Sequence, residues 1–412
     1  MYFLYGILTN IIILFSPLIF LFRLIKGKED LKRFQEKFCI YHKKKTFKTI
    51  WIHAASVGEL MSVIPILREF ENNKKINKII LTTSTTSSAK IFERLNFKKT
   101  FHKYFPLDTY YLTLKFIKYW QPQIAIFVDS EIWPNMLKNL SLKKIPIIVL
   151  NARITQKSFN KWKIFPSFAK QVFSKISLAL PQNIETLRYL KILGTKNIKL
   201  VGNLKYYGKK DLVKKDNTLL KNKFKNFKIW CAASTHDDEE ILIGNLHKKL
   251  KINEKTLLTI IIPRHINRSK KILVDLNKIG LKTITHSSKD KLKKNTDVYL
   301  VDSYGEANEF YNLTNVVFVG GSIIKHGGQN PLEPARLGNY IINGPNIDNF
   351  KEIYAFLIKN KISSTTSNIS KMRKIILTRC NKKISYQSRK KIINIGNKIL
   401  KKNMLYINKY IT

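Results

Sequence analysis

Short apolar runs alternate with longer amphipathic stretches through most of the chain, in two successive series. The first series occupies residues 49–54, 79–84, 124–128, 146–150, 178–180 and 198–201. The second occupies 229–233, 257–262, 298–301, 316–319 and 340–342. Such runs are too short for helices and lack polar alternation, which suits strands buried on both faces. The stretches between them, such as 57–71 and 112–119, carry helical periodicity. Strands alternating with helices predict an α/β protein whose parallel sheets are covered on both faces. Two series predict two doubly wound domains, facing each other across a ligand crevice at the carboxyl ends of their strands. The expected divisions are an N-terminal apolar segment at 1–28, a first domain at 29–205, a Lys-rich linker at 206–228, a second domain at 229–369 and a basic, helix-like tail at 370–412.

Residues 2–22 carry no charged side chain, and Arg23, Lys26 and Lys28 follow at once. A helix needs about 20 apolar residues to cross the hydrocarbon. The segment therefore reads as a membrane anchor, with Pro17 as a kink site. The basic residues behind it predict that the body lies on the cytoplasmic side. A cleaved signal peptide is not expected, since there is no basic leader and no small-residue cleavage site. Lys and Arg number 75 against 27 Asp and Glu, a formal net charge of +48. Lys, Asn and Ile share AT-rich codons, so part of this surplus is explicable as composition alone. The field still favours anionic partners: acidic lipid head groups, phosphorylated substrates or nucleic acid. Recognition of nucleic acid by stacking needs aromatics interleaved with cations. The aromatics here sit mostly inside apolar runs, so nucleic acid is not expected. Three widely spaced cysteines form no C-x-x-C, and the eight histidines form no H-x-x-x-H or H-E-x-x-H pair. A disulfide framework and a metal site are accordingly not expected.

Candidate chemistry gathers just after the expected strands. In WIHAASVGEL, residues 51–60, Ser56 and Glu59 have the spacing of a helix capping box. Glu59 can simply bond back to the Ser56 amide, or it can serve as a general base. Gly58 is a poor choice in a first helical turn unless something must approach the backbone. In VDSEIWPNM, residues 128–136, alternation would place Asp129 and Glu131 on one face of an extended segment. A carboxylate beside Trp133 would be partly desolvated and its pKa raised. Arg153 in NARITQKS and Lys205 in GNLK are single cations at strand ends rather than on charged helix faces.

The second half offers ASTHDDEE (233–240), PRH (263–265), DSYGEAN (302–308), GGSIIKHGGQNPLEP (320–334) and GPN (344–346). Ser234 with Asp237 and Asp238 reads as a capped helix start. Gly320, Gly321, Gly327, Gly328, Gly338 and Gly344 cluster within 25 residues, although the whole chain has only 16 glycines. Gly-Gly loops before a helix let backbone N–H groups cradle a phosphate. Asn330, Pro331 and Glu333 read as N-cap, N1 and N3 of a helix. Glu333 could accept from a ribose diol, and Arg264 could clamp a phosphate. Neither G-x-x-x-x-G-K-[ST] nor G-x-G-x-x-G after the first strand is present, so these are not the familiar nucleotide loops.

In this order along the chain stand HAASVGE, TTST, PLD, DSEIWPN, NARIT, QN-x-E, GNLK, AASTH-x-x-EE, PRH-x-NR, YGE, FVGGS and HGGQNPLEP. Together they closely resemble the 3-deoxy-D-manno-octulosonic acid (Kdo) transferases, from the N-terminal segment to about residue 355. The resemblance implies a membrane-associated glycosyltransferase of the two-Rossmann GT-B architecture, acting at the cytoplasmic face of a bacterial inner membrane. It implies transfer of Kdo from CMP-Kdo, a donor substrate, to the 6-hydroxyl of a lipid A precursor, with no metal and no cofactor. Glu59 matches the family's catalytic base, and Glu131 and Lys205 match its transition-state stabilisers. The CMP-binding positions match Pro263 and Arg264, then Tyr304, Gly305 and Glu306, then Asn330, Pro331, Leu332 and Glu333. DSYGEAN departs from the family with Ala307 and Asn308 where apolar residues are usual, which concerns packing. The expected partners are CMP-Kdo, a phosphorylated acylated glucosamine disaccharide and an anionic membrane surface. Two other readings stay open at this point: a different GT-B nucleotide-sugar enzyme such as a hexosamine 2-epimerase, and a basic protein that binds membrane surfaces or nucleic acid.

Overall fold

Continuous aliphatic runs do become the central strands. The structure, a computed structural model, describes residues 1–27, 29–41, 49–208, 218–288 and 290–411. Contacts divide it into two units, Met1–Tyr207 with Gly396–Thr412, and Gly208–Ile395. In the first unit six strands form one sheet: β1 (Thr49–His53), β2 (Ile79–Thr83), β3 (Thr100–Tyr104), β4 (Pro122–Val128), β5 (Ile147–Ala152) and β6 (Leu178–Pro181). The order is β3-β2-β1-β4-β5-β6, every pairing parallel. β1 and β4 are neighbours out of chain order, so the winding direction reverses between them. Ligands of open α/β sheets bind outside the carboxyl ends of the strands at that reversal. The register sets His53, the last residue of β1, between Thr82 on β2 and Phe127 on β4.

In the second unit seven strands form a parallel sheet, with order β13-β12-β11-β7-β8-β10-β9. They are β7 (Lys228–Thr235), β8 (Leu257–Pro263), β9 (Thr283–Thr285), β10 (Val298–Leu300), β11 (Val316–Val319), β12 (Tyr340–Asn343) and β13 (Ser363–Thr365). Its reversal lies between β7 and β11. Trp51, Phe116 and Phe127 sit at the heart of one core, and Trp230, Ile261 and Phe318 at the heart of the other.

Three strands, β3, β9 and β13, were not expected from the sequence, and all three are sheet edges. The run 198–201 is not a strand; only Ile198 bridges, to Ala179. Residues 209–217, most of the expected linker, lie outside the described residues, as does Lys28. The expected tail is two helices, Ile369–Arg379 and Tyr386–Ile407, and the second of these contributes residues to both units.

The anchor differs from its expected form as a single helix. Residues 2–25 form two helices, α1 (Tyr2–Leu14) and α2 (Ser16–Ile25), bent by 54° at their junction. Pro17 stands in the first turn of α2, where its missing N–H and fixed φ favour a new helix start over continuation of the old one. The 13 and 10 residues of these helices rise about 20 and 15 Å, short of a bilayer core of about 30 Å. Among the described residues no single helix is long and apolar enough to cross a membrane, although the bent pair passes that test together. α1 also docks on the first unit. Tyr5 Oη donates to Asp108 Oδ2 at 2.8 Å, and the Tyr2 ring meets the Phe168 ring edge-on at 5.1 Å.

Candidate active site

The loops that leave β1, β4, β5 and β6 bring Glu59, Glu131, Asp129, Arg153 and Lys205 to one end of the first sheet. After β1 the chain turns at Ser56 into α3 (Val57–Asn72). The Ser56 half of the capping box forms, but Glu59 reaches back to the Ala55 amide and the Ser56 hydroxyl in place of the expected Ser56 amide. The Glu59 amide donates to Ser56 Oγ at 3.4 Å, and the Glu59 carboxylate accepts from the Ser56 hydroxyl at 2.9 Å and the Ala55 amide at 2.8 Å. A Cβ at Gly58 would meet nothing nearer than Ser56 Oγ at 4.0 Å, so the glycine leaves the surface beside Glu59 clear.

The turn after β4 is not the extended segment expected. Asp129 adopts φ +62°, which ends the strand alternation at Val128. Asp129 and Glu131 consequently have different neighbours. The Arg153 amide donates to the Asp129 carbonyl at 3.1 Å and ties the ends of β4 and β5 together. Asn151 Oδ1 accepts from the Leu204 amide at 2.9 Å, which seats the short 3₁₀ turn Leu204–Tyr206 that carries Lys205. Glu131 Oε2 accepts from Trp133 Nε1 at 2.8 Å and lies 3.2 Å from His53 Nε2.

These contacts separate the two glutamates electrostatically. Burial and then the Glu131 charge push Glu59 up to about 7, against the opposing hydrogen bonds of Ser56 and Ala55. Burial alone would also raise Glu131, yet the hydrogen bonds of His53 and Trp133 and the proximity of His53 outweigh it and hold its carboxyl below the ordinary value. The sequence expectation of a raised carboxylate beside Trp133 is thus reversed, because the indole donates a hydrogen bond instead of merely excluding water. Asp129 is raised by burial, against the pull of Lys205 and Arg153. Burial lowers the Lys205 ammonium, against Asp129. One carboxylate poised near neutrality next to one held ionised is an acid–base arrangement. His53 escaped the sequence reading because a lone buried histidine at a strand end carries no pattern of its own.

In the second unit the expected donor residues share the carboxyl edge of the sheet. Pro263 ends β8, Arg264 follows it exposed, Tyr304, Gly305 and Glu306 lie beyond β10, and Asn330–Glu333 lie beyond β11. Pro263, Pro331 and Leu332 are buried and shape the backbone, whereas Tyr304 is 70% exposed. Asn330 Oδ1 accepts from the Leu332 amide at 3.1 Å, and the helix begins at Leu332 instead of at Pro331. His286 Nε2 lies 3.1 Å from Glu306 Oε2.

At Gly320–Gly321 the expected phosphate cradle is corrected. Glu239 fills it: its carboxylate accepts from the amides of Gly321 (2.7 Å), Ser322 (3.2 Å), Ile323 (3.1 Å) and His236 (3.0 Å). The glycines instead permit close backbone packing. A Cβ at Gly344 would stand 2.2 Å from the Ser322 carbonyl oxygen, and one at Gly320 2.5 Å from that of Ser234. Ser234 is not the cap expected of it, since the helix opens at Glu239. Near this edge Arg264 is exposed and could meet an anion. The His236 ring lies 4.0 Å from that of His326, tilted by 33°, and burial and then the neighbouring His326, His265, Arg268 and Arg264 press it down to about 4. Arg268 is committed to Glu240 and Asp237. Among the described residues no group of three or more His, Cys, Asp or Glu is arranged to hold a metal ion.

Two parallel α/β units, the first with a tuned carboxylate pair at its winding reversal, resemble the domains of GT-B glycosyltransferases. Residues 32–207 match the family model of the 3-deoxy-D-manno-octulosonic-acid transferases. The chain is 31% identical over 408 residues to the 3-deoxy-D-manno-octulosonic acid transferase of Haemophilus influenzae, covering 96% of this chain and 94% of that one. It is 33% identical over 360 residues to the transferase of the same description from Rickettsia bellii, covering 87% and 86%. The chain belongs to the Kdo transferase family, glycosyltransferases of lipopolysaccharide synthesis. The UDP-GlcNAc 2-epimerase of Neisseria meningitidis, bound to UDP-GlcNAc, superposes with a TM-score of 0.60, covering 88% of this chain and 100% of that one. At 13% identity that likeness speaks to the fold alone.

Proposed function

We propose that this protein transfers Kdo from CMP-Kdo to the 6-hydroxyl of a lipid A precursor, with Glu59 as general base. The observation that carries the reading is the glutamate pair. Glu59 is held near pH 7 at the winding reversal and stands beside an ionised Glu131. A base whose proton affinity matches the working pH is half free and still strong enough to take an alcohol proton.

In this reading the acceptor oxygen attacks the anomeric carbon as its proton passes to Glu59. The bond from that carbon to the CMP phosphate breaks, and its electron pair leaves with the phosphate. Positive character grows on the sugar, and the fixed negative charge of Glu131 opposes it. Lys205 offsets the concentration of carboxylates, since its charge acts on both Asp129 and Glu59. The second unit holds the donor through Pro263, Arg264, Tyr304, Gly305, Glu306, Asn330, Pro331, Leu332 and Glu333. Arg264 is the natural phosphate partner, and the backbone loop filled by Glu239 is not. No metal or cofactor enters this mechanism.

The acceptor is an amphiphile at a membrane surface. One side of α1 is held by Tyr2 and Tyr5, while Phe3, Leu4, Ile7, Leu8, Ile11 and Ile12 are all at least 40% exposed. Their i, i+3, i+4 spacing makes one apolar stripe, which suits a helix seated in a lipid interface or spanning it with α2. The proposed location is the cytoplasmic face of the bacterial inner membrane. The test is incubation of the full chain with CMP-Kdo and a tetraacylated lipid A precursor, followed by mass spectrometry of the lipid. Addition of Kdo residues is expected; an unmodified lipid, with the donor intact, overturns the proposal.

A further inference from the structure

His53 is 0% exposed, at the carboxyl end of the central strand β1. Its ring lies flat on Phe105 at 3.9 Å and meets the edge of Phe127 at 6.0 Å, so it cannot rotate without displacing the core. Its two nitrogens face opposite ways. Nδ1 lies 3.0 Å from Thr82 Oγ1 and 3.1 Å from the Thr82 carbonyl, and Nε2 lies 3.2 Å from Glu131 Oε2. The partners fix the proton at Nε2. Trp51 Nε1 can only donate, and it does so to Thr82 Oγ1 at 2.9 Å. The Thr82 hydroxyl reaches the Ile52 carbonyl at 3.5 Å as well as Nδ1, and the Thr82 carbonyl beside Nδ1 only accepts. An ionised carboxylate also only accepts, so Nε2 carries a proton and donates it to Glu131. Trp51, Thr82 and His53 thus form a buried row that ends on Glu131.

We propose that His53 is a positioning residue of this site: it orients the Glu131 carboxylate and keeps it ionised beside Glu59. The inference rests on the reading of Glu59 as the base. The pair is two like carboxylates that titrate together, so whichever ionises first raises the other. His53 and Trp133 stabilise the anion at Glu131, which is why the proton stays on Glu59. The charged groups around the pair include Asp129 on the β4 turn and Lys205, with Arg153 beside those two. Asp129 and Glu131 raise Glu59, and Lys205 opposes them. Without His53, burial dominates at Glu131, the order of ionisation reverses, and the base loses its strength.

The test compares wild type with His53→Gln, whose amide nitrogen can still reach Glu131, and His53→Asn, which can hold Thr82 but is too short for Glu131. Carbon-13 side-chain NMR of labelled glutamate follows both titrations in the full chain in detergent. In wild type Glu131 ionises well before Glu59. In His53→Asn the order reverses, with Glu59 moving down by about one unit or more, and in His53→Gln the wild-type order is kept. A third variant, Thr82→Val, removes the Nδ1 partner and gives an intermediate shift if His53→Asn does not fold. The acid limb of the pH–rate profile for Kdo transfer moves down in pH in His53→Asn, with a plateau at least tenfold lower. Unchanged titrations of Glu59 and Glu131 in His53→Asn, or in Thr82→Val where His53→Asn does not fold, overturn the proposal. If the wild type transfers no Kdo, the functional reading fails while the NMR titrations still decide the role of His53.

Discussion

The carboxylate of Glu59 is both a helix cap and the proposed base, and the two roles pull in opposite directions. Capping bonds from Ser56 and Ala55 favour the ionised form, and burial beside Glu131 disfavours it more. The folded value of about 7 stands above the ordinary 4.5. The unfolded chain therefore loses this proton first, and the folded protein holds it up to about pH 7. The stability contributed by the bound proton is complete below the ordinary value and is lost as pH rises through the folded value. Asp108, raised to about 6 chiefly by burial, acts in the same direction over a lower range. Urea unfolding at pH 4.5 and pH 8 is expected to show Glu59→Gln losing less stability than wild type, by on the order of 1–3 kcal/mol. Equal losses would show that Glu59 titrates normally. Glu59 was legible in the sequence through its spacing from Ser56, and so was its double meaning. The shift of Glu131 was not, because its sign depends on a histidine 78 residues away that only the sheet register brings to it.

At the scale of elements, burial on both faces decided what could be read. β1, β4 and β7 are almost wholly buried and stand out as continuous apolar runs. The unexpected strands lie at sheet edges, where one face or one flank meets solvent and polar residues are allowed. β3, TFHKY, alternates buried with exposed or half-buried positions. The glycine cluster was visible, but its purpose was not, since close backbone packing and phosphate binding demand the same residue. Gly344 and Gly305 separate the two demands. A Cβ at Gly344 would lie 2.2 and 2.4 Å from the carbonyl oxygen and carbon of Ser322, whereas one at Gly305 meets nothing within 4 Å. Gly344→Ala is expected to cost about 3 kcal/mol or more through forced backbone movement. Gly305→Ala is expected to cost roughly 1–2 kcal/mol through its φ of +90° alone. Thermal unfolding checks this; equal costs would mean that the 322–344 contact is slack.

At the scale of the whole molecule, the charge and the apolar N-terminal pair are the features that the proposed function assigns to an anionic membrane surface. Residues 2–22 were legible as an apolar helical segment, and their membrane role belongs to the proposed function. Their break was legible as a kink at Pro17, but the seat of α1 on Tyr5 and Asp108 was not, since it depends on a residue a hundred positions away. Leu8 and Ile12 are each 53% exposed. Replacing both with Glu is expected to weaken binding to anionic vesicles on the order of 100-fold. The melting temperature should stay within a few degrees. Unchanged vesicle binding would remove α1 from the membrane contact.

The account turns on Glu59 taking the acceptor proton. The most direct measurement is the Kdo-transfer rate of Glu59→Gln against wild type, with CMP-Kdo affinity measured on the same samples. The account predicts at least a thousandfold loss of kcat with donor affinity within about twofold. Near-normal turnover in the variant would contradict it.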